Sequence, residues 1–194
     1  KMFMSEEIYL SKSFLLFKTK FNHNSMRLFY AVILRFFLFV FLQAFIFNQL
    51  EISPYVHVMI SPLYIMLLPF DTPVIRLLLV SFVLGLCIDS LSNTFGLHAS
   101  SLVVFAYLRP VVFRWFSPRE GYDSIKTPSI FDMGNSWFLL VFGILLLFHH
   151  LWFFIMESFS FDELLLILLK TLPSSLLSFI VCIILQTLFL KRSK

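Results

Sequence analysis

Three apolar runs, Leu28 to Asn48, Trp137 to Met156 and Leu164 to Leu190, dominate the chain. Each is about 20 residues or longer, so as a helix each reaches about 30 Å, the thickness of a bilayer's hydrocarbon core. A stretch such as FFLFVFLQAFIF, Phe36 to Phe47, has too little polar surface to face water. With 59% hydrophobic and only 13% charged residues, the rest of the 194-residue chain does not supply a soluble domain either. The expected fold class is therefore all-α, a polytopic integral membrane protein. The net charge of +4 comes from Lys and Arg scattered at the ends of apolar segments, where they serve membrane orientation, and nucleic acid is excluded as a partner. Cys87 and Cys182 lie in the middle of apolar runs and read as membrane-buried thiols rather than a disulfide or half of a metal site.

Six transmembrane helices are expected, one of them short or kinked. Residues 1–25 form a basic N-terminal extension, disordered or lying at a lipid surface, with Met2, Met4 and Met26 as candidate starts. Residues 26–190 form the membrane domain and 191–194 a basic tail. The first span, Leu28 to Asn48, is longer than the apolar core of a signal peptide and reads as uncleaved. The second, Tyr55 to Pro69, has about 15 residues and contains Pro62, so it reads as a short kinked span or a re-entrant pair of half-helices. Asp71 or Thr72 can cap the helix that starts near Pro73. Spans three and four run from Val74 to Leu91 and from Leu97 to Phe116, with a kink expected at Pro110. The loop Ser117 to Ser136 reads as exposed. Span five follows, and span six is expected to break at Lys170 and at Pro173-Ser174-Ser175. Positive charge falls in the N-terminal segment, near Arg76, in the loop with Arg114, Arg119 and Lys126, and in the tail, whereas the alternate connections are neutral or acidic. Six spans with both termini in the cytoplasm satisfy every loop at once.

Chemistry-bearing residues concentrate between Ser81 and Pro110. On a helical period Ser81, Gly85, Asp89 and Ser92 share one stripe, which turns Leu84, Leu86 and Leu91 elsewhere. An Asp at membrane depth costs at least about 2.5 kcal/mol, so that stripe must face protein or water. The turn Ser92-Asn93-Thr94-Phe95-Gly96 offers Asn and Gly for positive backbone angles. Asp89, His98, His149 and Lys170 all fall in the outer third of their spans, and Asp89 is expected to pair with Lys170 or with a histidine. Such a cluster can act as interhelical glue, as a proton relay or as a pocket. His149 and His150 are adjacent and point about 100° apart on a helix, unlike the i, i+4 pair of a helical zinc motif. No nucleophile motif, phosphate loop or cysteine pair is present, so neither a cofactor nor a metal is expected. Arg109 and Arg114 most simply snorkel to lipid headgroups.

The pattern Asn48-Gln49-Leu50, Leu68-Pro69-Phe70-Asp71-Thr72-Pro73, Gly85-Leu86 with Asp89, Asn93-Thr94-Phe95-Gly96-Leu97-His98-Ala99 and Arg109-Pro110 resembles the MreD family of rod-shape-determining membrane proteins. The resemblance covers about Met26 to Leu190. It implies a bacterial inner-membrane protein without catalysis of its own, joining a bitopic MreC protein and through it MreB filaments and the peptidoglycan synthases of cell elongation. It also implies a fold similar to the substrate-binding subunits of vitamin importers. The residues of interest as a packing or partner interface are Ser81, Gly85, Asp89, Asn93, His98, Arg109, His149 and Lys170. A small-molecule-binding importer subunit is the alternative, and an intramembrane enzyme using Asp89 and His98 is a third reading.

Overall fold

The computed structural model describes residues 30, 32–50, 53, 55–123, 126–159 and 163–189. The expected N-terminal extension and basic tail lie outside the described residues. Every named element is helical: α1 (Val32–Gln49), α2 (Ser61–Met66), α3 (Val74–Ser92), α4 (Leu97–Trp115), α5 (Ile130–Met133), α6 (Asn135–Ser158) and α7 (Leu164–Phe189). Four of these, α1, α3, α6 and α7, are long and apolar enough to cross a membrane. Helix α4 matches α3 in length, and His98, Ser100, Ser101, Arg109 and Arg114 make it more polar.

The described chain divides after Leu38 into two units. In the first, residues 32–38 are helical and largely exposed. The second, from Phe39 onward, holds the core. Here the last turns of α1 widen from α into a π turn at Leu42–Ile46 and then tighten into a 3-10 turn at Phe47–Gln49. That change of pitch presents Gln43 and Ala44 inward.

Helices α3 and α4 form a close hairpin. The buried face of α3 is Leu77, Ser81, Leu84, Gly85, Ile88 and Asp89. Leu84 therefore joins the stripe instead of facing away, because a buried helical face is wide enough to take i+3 as well as i+4 neighbours. Leu86 and Leu91 do face outward. Gly85 sits against the backbone of α4: a Cβ there would lie 2.8 Å from the carbonyl carbon of His98 and nearer still to Ala99. Gly85→Ala is accordingly expected to push the two helices apart and to cost about 2 kcal/mol, read as a lowered unfolding temperature in detergent. Gly143→Ala is the control, since its nearest neighbour is the Phe179 ring at 3.8 Å.

The hairpin turn uses the left-handed region at Asn93 (φ 54°), Phe95 (φ 44°) and Gly96 (φ 89°). Asn93 ends α3 by donating its N–H to the Asp89 carbonyl, as its type favours. At the other end of α3 the expected side-chain cap is not made. Pro73 occupies the cap position, and the Thr72 hydroxyl turns back to donate to Pro69 O at 2.8 Å.

The segment expected as a second span holds one short helix and no pair of half-helices among the described residues. Residues 57–60 are non-helical, α2 is a single helix of six residues, and Val58 to Met66 are all buried. Helix α4 runs on through Pro110 and α7 through Lys170 and Pro173, so the expected break in α7 is absent. Packing of its apolar length against α6 holds α7 together, and Lys170 reaches Glu157 rather than ending the helix.

The core between α4, α6 and α7 is aromatic. Phe138 and Phe142 stack at 5.1 Å, with Phe179 of α7 5.8 Å and Phe105 of α4 6.4 Å from Phe142. A second aromatic group, Phe70, Phe113, Tyr122 and Trp137, closes the end where the long loop lies. Its polar tips satisfy the carbonyls left over at the end of α4: Tyr122 Oη donates to Phe113 O (2.7 Å) and Trp137 Nε1 to Phe116 O (2.9 Å). Burial among these rings raises the Tyr122 pKa, against a smaller opposing effect of its hydrogen bond with Trp137, and keeps the phenol a donor. The loop Ser117 to Ser136 is thus only partly exposed. Pro128 and Ser129 are buried, and Ile130 N donates to Gln186 Oε1 of α7 at 3.0 Å.

Candidate functional site

Asp89 is 6% exposed, and its carboxylate accepts from Thr94 Oγ1 (2.5 Å), His98 N (3.0 Å) and Ala99 N (2.9 Å). It neither pairs with Lys170 nor with a histidine ring. The first turn of α4 explains this: its free N–H groups point along the axis toward Asp89, and the positive end of the helix favours an anion there. Gly96 at φ 89° lets the chain bend so that these amides face back into the hairpin. Lys170 instead pairs with Glu157 at 2.8 Å, both partly exposed, a contact that contributes about 1 kcal/mol at most.

Beside the clamp, Asn48 from the end of α1 donates through Nδ2 to Ser92 Oγ at 2.8 Å and lies 3.3 Å from His98 Nε2. Gln43 Nε2 in turn donates to Asn48 Oδ1 at 2.6 Å and to Val58 O at 3.0 Å. Its Oε1 accepts from Ile60 N (2.7 Å) and Ser61 N (3.2 Å), so one side chain, 0% exposed, satisfies both the non-helical backbone and the start of α2. Ser174 and Ser178 of α7 support the same segment from the other side. They accept from His57 N at 3.0 Å and Met59 N at 2.8 Å. Backbone outside a helix at membrane depth must be satisfied by protein, and Gln43, Ser174 and Ser178 do that here.

Arg109 is the largest fully buried side chain among the described residues, 1% exposed, and does not snorkel. Its Nη2 donates to the carbonyls of Met66 (3.3 Å), Leu68 and Pro69 (3.3 Å), at the end of α2 where carbonyls have no helical partner. The guanidinium carbon also lies 4.6 Å from the Phe113 ring centre. Arg114 is exposed.

Ser81 is buried and donates back to Leu77 O at 2.7 Å, so it serves close packing and makes no cross-helix bond. Asn93 is exposed at the turn. His149 and His150 are both 0% exposed with ring centres 5.4 Å apart. His150 bridges Leu146 O and Ser178 Oγ, at 2.9 and 3.0 Å, while neither His149 nitrogen has a partner among the described residues. The structure therefore brings Gly85, Asp89, Asn93 and His98 together at the hairpin turn. Arg109 stands at the far end of α4, and Lys170 with Glu157 forms a separate pair.

Sequence reasoning did not single out Gln43, Asn48, Glu157, Ser174 or Ser178 as site residues. Three of these carry a readable signal: Gln43 is the lone polar residue within Phe36 to Phe47, and Ser174 and Ser178 share a face at i, i+4.

A cleft of about 160 Å³ opens beside the hairpin turn, lined among others by Asn48, His57, Ser92, His98, Phe153 and Glu157. Its polar groups can hydrogen-bond a small guest. No group of three or more His, Cys, Asp or Glu close enough to hold a metal ion occurs among the described residues. No protein-family model, no curated protein and no solved structure matches this chain.

Proposed function

We propose that this protein is a non-catalytic scaffold of the bacterial cell-elongation machinery, of the MreD kind. It sits in the inner membrane with six crossings and both termini in the cytoplasm. The observation that carries the reading is that the residues of the resemblance hold one another. Gly85 receives the backbone of His98 and Ala99, Asp89 clamps the amides of the same two residues, Asn48 reaches Ser92, and Arg109 gathers the carbonyls of Leu68 and Pro69. A scattered sequence pattern becomes one set of joints, which is what a fold-defining pattern does.

Six crossings are supported by the path of the chain between Asn48 and Pro69. Asn48 lies beside His98 at the start of α4, and Pro69 lies beside Arg109, 11 residues and about 16 Å further along that helix. The described part of the intervening segment, with α2, thus runs beside α4 over about 16 Å, about half the thickness of a hydrocarbon core. Counted as a crossing beside α1, α3, α4, α6 and α7, it brings the number in this reading to six. Arg114, Arg119 and Lys126 follow the end of α4 that Pro69 meets, while Glu157 and Glu163 border the opposite end, so charge favours the loop end as cytoplasmic.

The scaffold acts through shape. Lipid gives apolar side chains no reason to leave it, so partner helices are expected to dock by close packing and interhelical hydrogen bonds. Asp89, with three donors already on its carboxylate, favours this role over acid-base chemistry. One observation favours the importer reading instead, the polar cleft at the hairpin turn. Affinity purification of the tagged protein from its native membrane in mild detergent, with mass spectrometry of proteins and metabolites, separates the two. Recovery of an MreC-like bitopic protein with cell-wall synthases is the expected result. An ATPase module with a stoichiometric metabolite, or a folded preparation without any MreC-like protein, overturns it.

A further inference from the structure

A second cleft, of about 550 Å³, lies at the loop end between the start of α3 and the end of α4, and the hairpin joints leave it unused. Val74, Leu77, Tyr107 and Val111 give it an apolar wall, and Arg109 and Arg114 line it with positive charge. Tyr107 is 61% and Val74 41% exposed, so this wall opens on the side of the bundle that faces lipid. Arg109 is buried, yet no carboxylate among the described residues pairs with it. The one ion pair among the described residues is Lys170 with Glu157, and Arg109 Nε has no partner there. Its acceptors among the described residues are the backbone carbonyls that Nη2 reaches. A cation held at one edge by carbonyl dipoles keeps attraction for an anion at the other.

We infer that this cleft binds an anionic phospholipid, its phosphate between Arg109 and Arg114 and an acyl chain along Val74, Tyr107 and Val111. Depth agrees with that occupant. Arg109 stands six residues before the end of α4, about 9 Å inside it, near the boundary between headgroups and acyl chains. Basic clefts between membrane helices on the cytoplasmic side recognise acidic headgroups through such arginines. A free phosphate would meet the same charges and leave the apolar wall uncovered, so the wall is what selects the lipid. The proposal is independent of which proteins the scaffold joins.

Native mass spectrometry of the full chain released from nanodiscs of equal phosphatidylglycerol and phosphatidylcholine tests it. Retention of phosphatidylglycerol over phosphatidylcholine is expected at about fivefold or more, the contribution of one or two arginines near a headgroup. Arg114→Gln should lower that preference about fivefold with no change in unfolding temperature. Val111→Trp should fill the wall and release both lipids, and millimolar inorganic phosphate should displace neither. Equal retention of the two lipids overturns the proposal, as does a preference that survives both substitutions. Displacement by inorganic phosphate reduces the cleft to a small-anion site and overturns it as well.

Discussion

Asp89→Leu is expected to destabilise the protein by about 3 to 5 kcal/mol, because it removes three hydrogen bonds to a charged acceptor and leaves two buried amides with no partner. Leucine fills a similar volume, so the loss reports the bonds and not a cavity. Amide hydrogen exchange localises the effect: His98 and Ala99 should exchange faster, while the aromatic centre of α6 at Phe142 should not change first. Asp89→Asn keeps one acceptor oxygen and is expected to lose about half as much. A leucine variant as stable as the wild type would show that the clamp does not hold the hairpin. The same result would remove the physical reason for an Asp at this depth.

The second large effect is expected at Gln43. Gln43→Leu leaves Ile60 N, Ser61 N and Val58 O without their side-chain partner in a place water does not reach. Each such group costs about 1 to 3 kcal/mol, and part of the loss is recoverable by local shifts, so about 3 kcal/mol in total is expected. The non-helical segment should loosen before the rest of the bundle, with raised exchange at Ile60 and Ser61 preceding any change at Gly85. Unchanged exchange at those two amides would show that α2 is seated by its apolar packing alone. Ser178→Ala is the milder companion, removing the acceptor of Met59 N while His150 keeps Leu146 O.

These two sites differ in how far they could be read beforehand. The hairpin was legible because its instructions are local. Ser92 to Gly96 carries turn chemistry, Gly85 and Asp89 share a face at i, i+4, and the chain has no room to place α4 anywhere but beside α3. The partner of Asp89 was not legible. Opposite charges in lipid suggested Lys170, whereas the nearest donors were backbone amides, which have no letter in a sequence. The same blindness hid the role of Arg109: its acceptors are three carbonyls more than forty positions away or close to it, at Met66, Leu68 and Pro69.

By itself the sequence determined the medium, the helical class and the positions of most helix ends, because apolar length and Pro, Gly and Asn signals act over a turn or two. Only the tertiary structure decided that residues 57–60 stay out of a helix. Chain outside a helix in an apolar interior is stable only where its N–H and C=O groups find partners, and these come from Gln43 in α1 and Ser174 and Ser178 in α7, more than a hundred positions apart. The choice between a helix that satisfies itself and an irregular segment that others must satisfy is made by the assembled neighbours. No local window contains them.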